Sequence, residues 1–304
     1  MTIVDNATVT SPAGRMSRAD MLAKARARYA RQRVAGWLKA LLLLLVMLLI
    51  NMPIILTAVN SLRPTTDILG GSTLVPKRVT LDNYTLVLGH TNYTHWFVNS
   101  VWVSLLSTAI TLIASGLAGY SLSRYRTRVN TVYSNVLMAF QLFPLVLSVV
   151  VLMIFFVSIG LSKTFIPAIV LYIVMALPFC TWMFKGFFDS IPRELEEAAR
   201  VDGCSSFGAM TRIVIPLAGP GAAAVAIYSF LLAYNEYMVA SAFLKNPATL
   251  NTISVGLRSF FQQNTTQWGA ILAASTLAAV PPLILFLLVQ KWMIQGMAAG
   301  AVKG

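Results

Sequence analysis

Apolar residues in this chain fall in long uninterrupted blocks rather than recurring every third or fourth position as in a helix with one wet face. The blocks run at about Trp37 to Val59, Val98 to Tyr120, Thr131 to Ile159, Phe165 to Met183, Gly221 to Ala240 and Gly269 to Val289. A bilayer core is crossed by about 20 residues of helix. The pattern therefore predicts an all-α polytopic membrane protein with six transmembrane helices. Pro53, Pro144, Pro178 and the Pro281-Pro282 pair are expected to kink or break individual helices, because proline lacks the N–H and crowds the preceding turn. The first block is too long for a signal-peptide core and no small-x-small cleavage site follows it, so it is expected to stay as an anchor.

Composition agrees with this reading: of 304 residues, 57% are hydrophobic and 11% charged, far more apolar than an ordinary soluble domain. The net charge of +13 invites comparison with nucleic-acid binders, but the basic residues lie between apolar blocks instead of clustering on a polar domain. Topology accounts for them better. With an even number of spans both termini share a side, and 17 of the 23 lysines and arginines fall in the set formed by the N-terminal segment, the second-to-third loop, the fourth-to-fifth loop and the C-terminus. Positive charge marks the cytoplasmic side, so both termini and the loop 185–216 are expected there. The organisation expected is a basic N-terminal segment (1–34), a membrane domain (35–290) and a cytoplasmic tail (291–304). Ser17 is placed to cap a short helix in the basic segment, which would lie on the anionic inner leaflet; a frayed tail serving only as a topology signal is the alternative. Cys180 and Cys204 are far apart, and His90 and His95 have no neighbouring cysteine or acid cluster, so neither a disulfide framework nor a metal site is expected.

The loop between the fourth and fifth blocks carries its own signals. Pro192 suits a first helical turn, Glu194, Glu196 and Glu197 complement the positive end of a helix dipole, and Gly203 is placed to end the helix. A second short helix can begin at Ser205 or Ser206. Leu195, Ala198, Ala199 and Phe207 are expected to give this charged loop a small apolar face suited to a partner's groove.

The run Glu197-Ala-Ala-x-x-x-Gly203, nine further residues and Ile213-x-Ile215-Pro216 resembles the EAA signature of bacterial binding-protein-dependent ABC import permeases, with Ile215 where that family usually has Leu. Gln141-Leu-Phe-Pro144, Trp182-Met-Phe-Lys-Gly-Phe-Phe188, Asn235-Glu236 and the segment from Gln290 to Gly304 are similar to the smaller permease subunit of the maltose-type carbohydrate branch. The resemblance covers roughly residues 35–304. It implies that loop 185–216 forms coupling helices seated on a separate nucleotide-binding subunit, with Glu194, Glu197, Ala198, Ala199, Asp202, Gly203, Ile213 and Pro216 as the coupling residues. It also implies the partners: a second, larger permease, two copies of an ATPase subunit, a solute-binding protein and a sugar cargo. Lys245, Asn246 and Pro247 are candidate contacts for the binding protein.

Other residues stay open between two roles. Asn99, Ser100, Ser104, Ser107, Thr108 and Thr111 form a polar stripe on the second span that either lines a sugar path or packs against neighbouring helices. Pro144 and Leu145 mark either a gate or a static kink. Glu236, with Asn235 beside it near the outer end of the fifth span, has either a structural or a substrate-path role, since an intramembrane carboxylate is costly. No G-x-x-x-x-G-K-[ST] loop is present, so this chain is expected to bind no cofactor itself, with ATP and Mg on the partner ATPase. An intramembrane enzyme would need clustered His, Glu or Asp at membrane depth, and an ion-driven secondary transporter would need coupling groups there; the sequence offers few of either. Within the importer class the cargo is left open among sugars, glycerol phosphates and other sugar derivatives, and the absence of arginine within a predicted span leans toward neutral sugars.

Overall fold

The computed structural model describes the backbone of residues 18–70, 76, 78–125, 127–142, 145–245, 247–261 and 266–301. Pro144 and Asn246 thus lie outside the described residues, as do Ser17 and residues 302–304 of the C-terminal segment. Apart from an isolated bridge between Phe261 and Thr266, regular structure in the described residues is helical. The chain divides into two units, residues 1–56 and 57–304.

Helix α1 (Arg18–Ser61) is a single run of 44 residues. The basic stretch from Arg18 onward is its first part rather than a separate short helix. Ala, Arg, Lys, Leu and Met dominate residues 21–35 and are strong helix formers, so nothing breaks the helix ahead of the apolar stretch. It also continues through Pro53.

The second unit opens with two short helices, α2 (Thr65–Leu69) and α3 (Asp82–His90), followed by α4 (Tyr93–Arg124), the second expected span extended by a turn or more at each end. The third expected span is described as α5 (Arg128–Leu142) and α6 (Leu145–Ser158), with residues 143–144 between them outside the described residues. Helix α7 (Ile166–Asp189) is the fourth expected span and runs through Pro178 unbroken. Then come α8 (Glu194–Val201), α9 (Ser206–Ala209), a π-helical turn over Met210–Val214, and α10 (Ile215–Leu217). Helix α11 (Gly219–Asn235) leaves the preceding segment at a bend of 74°. It stops short of the expected end at Ala240, and α12 (Met238–Phe243) follows as a separate turn. A four-residue helix, α13 (Ile253–Gly256), precedes α14 (Trp268–Ala278) and α15 (Val280–Ala301). Pro281 and Pro282 sit in the first turn of α15, where a missing N–H leaves nothing unpaired.

Among the described residues, four helical stretches are long and apolar enough to cross a membrane, and five if the bent pair ending in α11 counts as one span. Helix α4 is the spine of the second unit, packing along α7 and α11, while α15 packs on α11. Small residues explain the close approach. A Cβ added at Gly119 would lie 2.7 Å from the Phe184 Cβ and 3.0 Å from the Thr181 carbonyl oxygen, so only glycine lets the two backbones meet there.

Candidate functional site

Loop 185–216 folds as its residue types dictate. Arg193 accepts the first helical bonds of α8, from Glu196 and Glu197 at 3.0 Å each, and Glu194, Glu196 and Glu197 occupy the first turn beside the positive end of the dipole. Gly203 takes φ +90°, the left-handed conformation that ends the helix, and the Cys204 amide returns to the Ala199 carbonyl at 2.9 Å. The second helix starts at Ser206, with Ser205 as its cap: the Ser205 hydroxyl accepts from the Gly208 amide at 3.1 Å.

Exposure sorts the candidate coupling residues. Glu194, Glu197, Ala198, Asp202, Gly203 and Pro216 are exposed and Ile213 is half-buried in the π-helical turn. Ala199 is not part of an outward apolar face, because it is 7% exposed and turned into the protein. The outward apolar residues are Leu195, Ala198, Val201 and Phe207, and Val201, at 87% exposure, takes the place expected for Ala199. Positions 199 and 201 lie about 160° apart around the helix axis, so with Ala199 packed inward Val201 faces out.

Tertiary structure adds a group that sequence spacing did not single out. Arg124, the last residue of α4, donates from Nε to Glu196 Oε1, from Nη1 to the Phe188 carbonyl at 3.0 Å and from Nη2 to the Ile191 carbonyl at 3.2 Å. Tyr120, one turn earlier on α4, donates to Glu196 Oε2 at 2.8 Å. In the reverse direction, Arg193 donates to the Ser123 carbonyl at 2.9 Å. The Arg124 and Glu196 side chains are only 7% and 12% exposed, so water screens this pair little. Beside it, Asp189 accepts from Ser123 and from Lys185, each at 2.6 Å. Seventy-two residues separate Arg124 from Glu196, and the only prior signal was an arginine at a helix end, counted as topology charge.

Along the rest of α4 the path candidates are buried. Asn99 donates to the carbonyls of Thr249 (2.7 Å) and Asn251 (3.0 Å), Trp96 Nε1 donates to the Ala248 carbonyl at 2.9 Å, and the Ser100 hydroxyl accepts from the Ile253 amide at 2.7 Å. Asn99 is therefore a brace for the segment 248–253 rather than an open path residue. Ser104, 1% exposed, is also internal; with Ser107, Thr108 and Thr111 it forms a buried stripe on α4, the helix-packing alternative. Small hydroxylated residues suit such close helix contacts.

Glu236 lies just past the end of α11 rather than within that helix. It follows α11 in an extended conformation, and its carboxylate accepts from the amides of Met238 (2.7 Å), Val239 (3.0 Å) and Ala240 (3.1 Å), capping α12. An acid two residues ahead of a helix start is a capping signal, overridden in the sequence by the continuous apolar block. Asn235 is exposed and bonds back to the Leu231 carbonyl at 3.0 Å. Lys245 and Pro247 are exposed beyond α12, with Asn246 between them undescribed. The backbone at Leu145 begins α6, while its side chain, like Pro144, lies outside the description. Among the described residues no group of three His, Cys, Asp or Glu is arranged to hold a metal.

Residues 110–299 match the family of binding-protein-dependent transport system inner membrane components, and the chain belongs to that family. It is 36% identical to the sulfoquinovosyl glycerol transport system permease protein SmoH of Agrobacterium fabrum, over 76% of this chain and 81% of the relative. It is 33% identical to the maltodextrin transport system permease protein MdxG of Bacillus subtilis, over 74% of this chain and 81% of that protein. Among solved structures, a chain of a bacterial ABC transporter importing the acidic polysaccharide alginate shares the fold, with a TM-score of 0.68 at 20% identity, covering 92% of this chain and 99% of the other. The matched region contains α8 and both halves of the Arg124–Glu196 pair.

Proposed function

We propose that this chain is a permease subunit of an ATP-driven importer that carries a carbohydrate across the bacterial cytoplasmic membrane by alternating access. The observation that carries the reading is α8, an acid-rich helix inside the EAA-like run that holds Glu197, Ala198, Val201 and, through α9, Phe207 outward. Such a face fits the groove of a separate ATPase, which supplies the ATP and Mg that this chain has no loop to bind. In this reading the chain crosses the membrane six times, with α5 and α6 together forming the third span. Both termini and α8 face the cytoplasm, as the lysine and arginine distribution favours. A second, larger permease completes the pore, two ATPase copies dock below, and a solute-binding protein docks above near Lys245 and Pro247.

The sugar relatives favour a carbohydrate cargo. An anionic sugar derivative, such as a glycerol phosphate or a sulfonated sugar, is the second reading, favoured by the exposed Arg258 guanidinium. Arg258 donates to the Tyr237 hydroxyl at 2.8 Å and has no carboxylate partner among the described ion pairs. Reconstitution tests the whole proposal: the chain, its neighbouring permease, ATPase and binding protein in proteoliposomes should take up sugar only with ATP and loaded binding protein. Uptake by this chain alone on an ion gradient overturns it.

A further inference from the structure

Helix α4 is fastened at both ends to segments far away in sequence. At one end Arg124 spreads its guanidinium over three elements at once: the Glu196 carboxylate on α8, the Phe188 carbonyl at the end of α7, and the Ile191 carbonyl in the link between them. Tyr120, four residues back on the same face, holds the second Glu196 oxygen. These bonds add to the Arg193–Ser123 contact and to the packing of α8 against α9 and the π-helical turn. At the other end, Trp96, Asn99 and Ser100 hold four backbone groups of residues 248–253, just beyond the exposed Lys245 and Pro247. Helix α4 runs 32 residues, about 48 Å, and meets α7 in close contact at Gly119.

We infer that α4 is a transmission rod: Tyr120, Arg124 and Glu196 lock it to α8, and Trp96, Asn99 and Ser100 lock it to segment 248–253, so that displacement of either segment moves the other. All six act as positioning residues, since none needs to touch cargo or nucleotide. The inference rests on the proposed function for the identity of the two docked partners, but the mechanical link itself does not.

Two variants probe the two joints in the reconstituted complex. The double change Arg124→Gln with Glu196→Gln removes both charges together, so neither is left buried alone and folding is spared. Asn99→Leu opens the far joint. Each should lower the sugar taken up per ATP hydrolysed by about tenfold in complexes that still assemble. Because both sit on one rod, combining them should cost little more than either alone. Normal uptake per ATP in an assembled variant, or two losses that simply multiply, overturns the rod. If the wild-type complex shows no ATP-dependent uptake, the importer reading falls, and hydrogen exchange then judges the rod by itself. The paired Gln variant must speed amide exchange in residues 248–253 as well as in α8; a change confined to α8 overturns it.

Discussion

Glu236 shows how one carboxylate can be read two ways. In the sequence it is an acid inside an apolar block, which suggests a path for a polar cargo; in the structure it accepts three amide N–H groups and starts α12. The two roles separate by substitution. Glu236→Gln keeps an accepting oxygen and is expected to leave transport within about twofold, whereas Glu236→Ala should cost about 1 kcal/mol of stability as a lost cap. Thermal unfolding of the solubilised complex alongside uptake measurements checks both, and a stable Gln variant that has lost uptake would return the carboxylate to the cargo path. Arg124 and Glu196 went unnoticed as a pair for a related reason. Each has a sufficient local role, as a topology charge and as a dipole partner, and only their approach across 72 residues makes them a joint.

Elements were most legible where local chemistry alone sets their ends. Helix α8 was readable from its three acids and Gly203, and the Ser205 cap of α9 from the serine pair, because caps and left-handed glycines act within a few residues, whereas Pro192 precedes the helix instead of sitting in its first turn. The expected fifth span fared differently. Its apolar composition continues past Asn235, where α11 stops, so hydropathy joined what the backbone separates. Contact between elements was also out of reach of pattern reading. The meeting of α4 with α7 depends on the absence of a single Cβ at Gly119, against backbone atoms that cannot swing aside. Gly119→Leu is expected to lower stability by about 1 to 3 kcal/mol through overpacking. Gly116→Ala, whose added atom would find nothing nearer than 3.8 Å, should be close to neutral. Unfolding midpoints of the two solubilised variants make the comparison.

At the scale of the whole molecule the expected topology has a direct test in the two native cysteines. Cys180 is buried within α7 and Cys204 is partly exposed next to α8. In spheroplasts a membrane-impermeant maleimide should leave Cys204 unlabelled, and it should react once the membrane is permeabilised. A cysteine introduced as Lys245→Cys in a chain lacking both native thiols should react from outside without permeabilisation. Labelling of Cys204 in intact spheroplasts would invert the arrangement and with it the placement of the ATPase.

The sequence by itself determined the membrane class, the helix within the EAA-like run and the family, because apolar run length, caps and short motifs are local properties. Tertiary structure alone decided which residues face out and which hold the protein together. It turned Ala199 inward and brought Val201 out, made Asn99 a brace and Glu236 a cap, and joined Arg124 to Glu196. Burial and hydrogen-bond partnership arise from contacts between segments many residues apart, and no local pattern encodes them.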